Sequence, residues 1–285
     1  MLSDAVAQDQ VPARYRLSPS RRTAAAERRR LERDLAMAAQ QGRLLLHYQP
    51  LLALASGEVR AAEALLRWPH RGQGMIAPSL FIPIAEESGQ IVPIGGWVLR
   101  AACREARRWR QPWAVSVNVS ARQIAAGALL GQVAAALEES GLPPERLELE
   151  LTESQVLAVD TETLLALSAV RDLGVGLTLD DFGTGQTSLS VLKRLPLTAM
   201  KLDRSLVRGL PADREDAAIA RALIATAHAL GLSVVAEGIE TEAQRAFLAA
   251  AGCDEGQGYL FSEPLPPERL PVRLGAPATP APRFA

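Results

Sequence analysis

The sequence predicts an α/β fold closed into a barrel, and three observations carry that prediction. Short apolar runs alternate with helical patterns at about thirty residues per unit, which implies right-handed crossovers and a parallel sheet. So many units within about 250 ordered residues favour a closed barrel over an open sheet. At the front, two apolar runs flank a Ser56-Gly57 turn and form a hairpin, so the first strand runs antiparallel to the second.

Taken in order, residues 1–26 read as a disordered or linker-like lead, with Pro12 and Pro19 and no periodicity at its start. From Arg21 to Gln41 the composition turns to Ala, Arg, Glu and Leu. Leu31, Leu35 and Ala38 fall on one face of an amphipathic helix that Gly42 closes. Leu44 to Gln49 is a strand expected to stop at Pro50, and Val59 to Trp68 is the second strand. Pro78 to Glu87, begun by a proline, and Ile91 to Trp109 are helical. Strands are expected at Ala114 to Val119, Leu147 to Leu151, Val175 to Leu179, Ala199 to Leu202 and Val234 to Ala236, with a weak one near Cys253 to Gln257. Helices are expected between them at 121–140, 160–173, 213–230 and 241–250. Residues 271–285 are Pro/Ala-rich and read as a disordered tail.

Composition excludes several classes. The chain has 285 residues, 48% of them hydrophobic, enough for a full core. A formal net charge of -1 supplies no field for DNA, RNA or an anionic membrane, and Arg28-Arg29-Arg30 reads as a solvated helix face. Two cysteines, Cys103 and Cys253, are too few for a disulfide framework and suggest a reducing compartment. With no apolar run of about 18 residues and no signal-peptide pattern, membrane insertion is not expected and a cytoplasmic location is.

The strand ends carry the chemistry. Glu63 lies on the second strand; Asn118, Glu150, Asp180-Asp181, Lys201 with Asp203, Glu237 with Glu240, and Gln257 follow at the ends of the others. In a parallel barrel these ends open on one face. Each desolvated carboxylate costs several kcal/mol unless compensated, and divalent cations are the natural compensation. The all-oxygen set Glu63, Asn118, Glu150, Asp180 and Asp181 suits Mg²⁺ or Mn²⁺, whereas His47, His70 and His228 are scattered and zinc lacks its preferred ligands. A shared Asp180 is placed to bridge two ions ~3.5–4 Å apart, as in phosphoryl displacement. Lys201 reads as holding or deprotonating the attacking water, or else as a salt bridge to Asp203 or a neighbouring Glu. Glu237 reads as general base or second-metal ligand, or else as a helix-start acid near Thr241. Glu153 suits capping or loop anchoring.

Other motifs are weaker. Asp181-Phe182-Gly183 spells DFG without the rest of a kinase, and no GxxxxGK or GxSxG occurs. A glycosidase also pairs carboxylates in a barrel, but it leaves Asn118 and Lys201 unexplained and needs more than 4% aromatic residues to line a sugar cleft.

An ordered series of motifs resembles the EAL domain: YQP at Tyr48 to Pro50, EALLRW at Glu63 to Trp68, FIPIAEESG at Phe81 to Gly89, VNVS at Val117 to Ser120, ELTES at Glu150 to Ser154, DDFGTG at Asp180 to Gly185, KLD at Lys201 to Asp203, AEGIE at Ala236 to Glu240 and CDEGQGYLFSEP at Cys253 to Pro264. The resemblance covers about residues 27–270 and implies a modified TIM (β/α)8 barrel with an antiparallel first strand. It implies a bacterial phosphodiesterase that opens cyclic di-GMP to linear pGpG with two Mg²⁺ or Mn²⁺ ions. It further implies metal binding by Glu63, Asn118, Glu150, Asp180 and Asp181, with Glu237 serving the second metal or acting as base and Lys201 positioning the water. Gln49, Arg67, Asp203, Glu240 and Gln257 are implied at the substrate, Arg67 reaching a phosphate. Glu153 is implied to anchor the DDFGTG loop, which in this family links catalysis to contacts in a homodimer. The family usually reads YSS after that loop where this chain has Gln186-Thr187-Ser188, so Thr187 keeps the hydroxyl while Gln186 removes an aromatic surface. No GGDEF or GGEEF string occurs, so cyclic di-GMP synthesis is not expected of this chain. The rival from another class is a catalytically silent cyclic di-GMP receptor or protein-interaction domain.

Overall fold

The computed structural model describes residues 21–157, 160–183 and 189–270. Within them lie strands β1 (Leu45–Ala53), β2 (Val59–His70), β3 (Gly74–Ile76), β4 (Ala114–Asn118), β5 (Leu147–Thr152), β6 (Gly176–Phe182), β7 (Ala199–Leu202), β8 (Ser233–Ala236) and β9 (Glu255–Gly256). They pair in the order β1-β9-β8-β7-β6-β5-β4-β2, and β1 pairs again with β2, which closes the ring; β3 is a short partner of β2 outside it. β2 and β4 to β9 run parallel, while β1 is antiparallel to both its neighbours. This is the expected α/β barrel with its first strand reversed.

Alternation along each strand sets what faces inward. In β5, Leu147, Leu149 and Leu151 pack outward into the main core under the helices, while Glu148 and Glu150 take the opposite face. Val115 and Val117 of β4, Leu177 and Leu179 of β6, and Met200 and Leu202 of β7 do the same. A separate small cluster of Leu51, Ala61 and Val235 fills the barrel itself.

β1 does not stop at Pro50 but runs on to Ala53. Tyr48 exchanges both backbone hydrogen bonds with Leu265, at 2.6 and 2.8 Å, and Leu52 pairs with Gly256. The even-numbered positions of β1 therefore point their N–H groups away from β2. Pro50 falls on that side, so its missing donor takes nothing from the β1–β2 ladder.

The helix expected over 121–140 is two, Ala121–Ala125 and Leu129–Ser140, parted at Gly127 with φ +64°. Helices Ile91–Arg108, Thr161–Asp172, Arg214–Ala229 and Glu242–Ala250 follow the sequence, the last three capped by Asp160, Asp213 and Thr241. The first helix starts at Arg21 and buries Leu31, Leu35 and Ala38. Short helices Glu153–Leu157, Leu189–Leu192 and Arg204–Arg208, absent from the periodicity, follow β5, β6 and β7. Residues 1–20 and the tail 271–285 lie outside the described residues. No helix among the described residues is long and apolar enough to cross a membrane.

Candidate metal centre

The strand register lifts polar side chains into one mouth of the barrel. Gln49 and Glu63 are cross-strand partners on β1 and β2. Gln257, just past β9, donates its Nε2 to Gln49 Oε1 and Glu63 Oε2, both at 2.8 Å, and Gln49 Nε2 donates to the Ser262 carbonyl at 3.0 Å. Asn118, the last residue of β4, donates Nδ2 to Glu63 Oε1 at 2.7 Å, and its register partner on β5 is Glu150.

Adjacent residues of a strand point to opposite faces, so Asp180 and Asp181 need a special backbone to meet. Asp181 has φ 58°, and the β6–β7 pairing slips between Leu179 and Phe182. A bulge with a left-handed residue re-aims a side chain in this way, at a cost of order 1–3 kcal/mol in strain. As a result one carboxylate oxygen each from Asp180, Asp181 and Glu237 lies within 4.8 Å of the others.

Lys201 is the hub. Its side chain is 1% exposed, and Nζ lies 2.7 Å from Glu237 Oε1, 2.9 Å from Glu150 Oε1, 3.5 Å from Glu63 Oε2 and 3.8 Å from Asp180 Oδ1. The salt bridge to Asp203 that the sequence left open does not form; Asp203 instead caps the helix Arg204–Arg208, accepting from the Ser205 N–H at 2.9 Å. Burial alone lowers a lysine pKa, but Glu150, Glu63 and Glu237 around Lys201 override it and keep the ammonium charged far above its usual range. Burial likewise pushes Glu63 up, but Lys201 and the donors of Gln257 and Asn118 bring it below the ordinary value. For the other acids burial and the neighbouring carboxylates outweigh Lys201. Burial, then the charge of Glu63, drives Glu150 well up. Burial also raises Asp180 and Asp181, and it lifts Glu237 to about 7.

One ammonium does not neutralise this set, and the residues fit a hard divalent cation. Among the described residues Glu150 Oε2 is buried with no hydrogen-bond partner, the donors are oxygens, and three of them already converge. Asp180, Asp181, Glu237, Glu63, Glu150 and Asn118 are the side chains available to hold such ions.

Four of the remaining candidates, Gln49, Glu240, Gln257 and Arg67, flank this centre. Glu240, Gln49 and Gln257 line a cavity of about 300 Å³ over it, together with Arg204 and Tyr259, which the sequence reading missed. Arg67 lines a second cavity of about 390 Å³ that shares Glu63 and Leu65 with the first. Glu153 is buried at the start of the helix Glu153–Leu157. Thr187 lies outside the described residues. Arg204 follows the lysine strand and Tyr259 the glutamine, so adjacency to those residues was the available signal. Gly258 carries no side chain because a Cβ there would meet the backbone of Ile239, and this close approach threads Gln257 beneath Glu63.

Comparison with known proteins agrees with the geometry. Residues 31–264 match the family model described as EAL domain. The cyclic di-GMP phosphodiesterase NbdA of Pseudomonas aeruginosa is 47% identical over 240 residues, 83% of this chain and 31% of NbdA. The bifunctional diguanylate cyclase/cyclic di-GMP phosphodiesterase MucR of the same organism is 44% identical over 250 residues, 86% of this chain and 36% of MucR. The chain thus spans about a third of the length of these relatives. A solved structure of the PaMucR phosphodiesterase in complex with c-di-GMP superposes with a TM-score of 0.81 at 44% identity, covering 85% of this chain and 99% of that one.

Proposed function

This chain belongs to the EAL domain family, and we propose that it is a metal-dependent phosphodiesterase hydrolysing cyclic di-GMP to linear pGpG. The observation that carries this reading is the buried Lys201 among Glu63, Glu150, Asp180 and Glu237, with Asp181 turned in beside them. A silent receptor has no use for so costly a concentration of buried acids.

Glu63, Asn118, Glu150, Asp180, Asp181 and Glu237 would hold two Mg²⁺ or Mn²⁺ ions, which would supply charge neutralisation at the phosphodiester and a more acidic water. Glu237, held 2.7 Å from Lys201 Nζ at the edge of the cluster, is the carboxylate placed to accept the proton of that water. Lys201 fixes the carboxylates and orients the water. The water oxygen bonds to phosphorus in line, the bond to the ribose 3′-oxygen breaks, and that oxygen takes up a proton. Gln49, Arg67, Asp203, Glu240 and Gln257 orient the dinucleotide, and Glu153 and Thr187 support the loop after Phe182. We take the catalytic unit as residues 27–270, acting in the bacterial cytoplasm, where its two buried thiols stay reduced. The family resemblance supports a homodimer formed next to the loop after Phe182.

Incubating the purified chain with cyclic di-GMP and Mn²⁺ and resolving the nucleotides by chromatography tests the proposal. Appearance of pGpG supports it; dinucleotide that binds and stays cyclic supports the receptor.

A further inference from the structure

Two segments meet over the acidic centre. One follows β8 and carries Glu237 and Glu240; the other is the short helix Arg204–Arg208, which follows β7. Both reach the cavity of about 300 Å³, and Arg204 is the only cationic side chain among the described residues that line it. The segments touch at Gly238, where the backbone has φ +68° and a Cβ would come within 2.6 Å of Arg204 Cβ.

A helix of five residues is marginal by itself, because nucleation costs more than one turn of hydrogen bonds returns. Helix ends also leave carbonyls at one terminus and N–H groups at the other to be met from outside. Gln244 does both at once for two helices. Its Oε1 accepts from the N–H groups of Glu240 at 2.8 Å and Thr241 at 2.9 Å, at the start of the helix Glu242–Ala250. Its Nε2 donates to the carbonyls of Val207 at 3.2 Å and Arg208 at 3.4 Å, at the end of the helix Arg204–Arg208. The side chain is buried, and both lone pairs and both hydrogens of the amide are spent on backbone. Glu237 is held separately, its N–H on the Leu202 carbonyl at 3.1 Å.

We propose that Gln244 is a positioning residue for phosphodiester hydrolysis: it ties the helix Arg204–Arg208 to the segment 237–240 and so keeps Arg204 over the metal centre. The inference rests on the phosphodiesterase reading and deepens it. The cyclic dinucleotide is an anion, and the guanidinium of Arg204 is the group on this cavity that suits its phosphates. Released from Gln244, a five-residue helix shifts against its neighbour, and a displacement of about 1 Å is enough to spoil such a contact. The metal ligands hang on the strands and on the Glu237–Leu202 bond, so they keep their places.

The test compares steady-state hydrolysis of cyclic di-GMP with Mn²⁺ by the wild type, Gln244→Glu, Arg204→Ala and the double variant. Mn²⁺ affinity is read alongside by electron paramagnetic resonance. Gln244→Glu keeps an acceptor for the Glu240 and Thr241 N–H groups, as in the common capping box. It sets an oxygen against the Val207 and Arg208 carbonyls, so it cuts only the tie. This variant is expected to raise KM about tenfold, with kcat within about threefold and Mn²⁺ affinity within about twofold. Arg204→Ala is expected to raise KM at least as much, and the double variant to be no worse than Arg204→Ala alone, because residues acting through one another are not additive. Wild-type KM in Gln244→Glu overturns the proposal. So does a KM rise that multiplies undiminished with that of Arg204→Ala, or an equal loss of Mn²⁺ affinity, since either marks Gln244 as a general support of the barrel. If the wild type yields no pGpG, the phosphodiesterase reading itself fails, and a role for Gln244 in that reaction falls with it.

Discussion

Lys201 Nζ lies 2.7 Å from Glu237 Oε1, inside a barrel mouth where water barely reaches the ammonium. That contact ties the side chain after β8 to the strand before it, and it joins the group proposed as base to the one fixed positive charge among the buried acids of the cluster.

Lys201→Ala is expected to leave cyclic di-GMP binding in place while reducing kcat strongly, by about 10²-fold or more. Without metal the variant also loses about 3–5 kcal/mol of stability, because its carboxylates are left buried and unpaired. Mn²⁺ restores part of that loss. Calorimetric melting with and without Mn²⁺, beside single-turnover kinetics, reads both effects; an unchanged rate returns Lys201 to a purely structural ion pair.

Metal affinity is expected to fall on the acid side. Ions and protons compete for the same oxygens, and burial raises Glu150, Asp180 and Asp181 and brings Glu237 to about 7. Below that pH Glu237 holds its proton, so the apparent Mn²⁺ affinity drops by up to about tenfold per pH unit for each proton displaced. Mn²⁺ titration followed by electron paramagnetic resonance at pH 8 and pH 6 measures this. Equal affinities there contradict a site built from these acids.

Glu255, on β9, predicts a pH dependence of stability separate from catalysis. Burial, reinforced by Glu148, lifts it to about 7. A carboxyl whose folded pKa is raised keeps its proton longer in the folded state than in the unfolded chain. Stability is therefore complete below the unfolded value near 4.5 and is lost as pH rises toward 7. Glu255→Gln is expected to raise Tm at pH 8, by an amount corresponding to about 1–3 kcal/mol, and to leave it nearly unchanged at pH 4.5. An equal shift at both pH values contradicts the assignment.

How legible the site was depended on what each residue needed. Alternation in LELELT was enough to send Glu148 and Glu150 to one face and three leucines to the other. The antiparallel β1 followed from a short turn between two apolar runs. Two adjacent aspartates, by contrast, read as a strand terminus, because the left-handed φ of Asp181 follows from a slip in the β6–β7 register and not from local propensity. Pro50 read as a stop because only tertiary pairing reveals which edge its absent N–H faces. Tyr259 and Arg204 went unseen for a similar reason: Tyr259 depends on the close approach of Gly258 to the Ile239 backbone, flanked by the Ile239–Gln257 and Leu260–Ile239 hydrogen bonds at 3.0 Å, and Arg204 packs against Gly238.

That lacing gives a further expectation. A methyl group at Gly258 collides with the Ile239 main chain, and overpacking of this kind costs about 1–3 kcal/mol. Gly258→Ala is expected to lower Tm accordingly and to weaken metal binding, as Gln257 loses its hold on Glu63. Wild-type melting and wild-type Mn²⁺ affinity in that variant contradict the proposed support.

The most direct measurement of the central claim is one chromatographic assay of cyclic di-GMP turnover, run on the wild type with Mn²⁺, on the wild type with chelator, and on Asp180→Asn with Mn²⁺. Linear pGpG in the first sample alone is the predicted result. Equal turnover by Asp180→Asn, or intact cyclic dinucleotide in all three, contradicts a hydrolytic metal centre built on these acids.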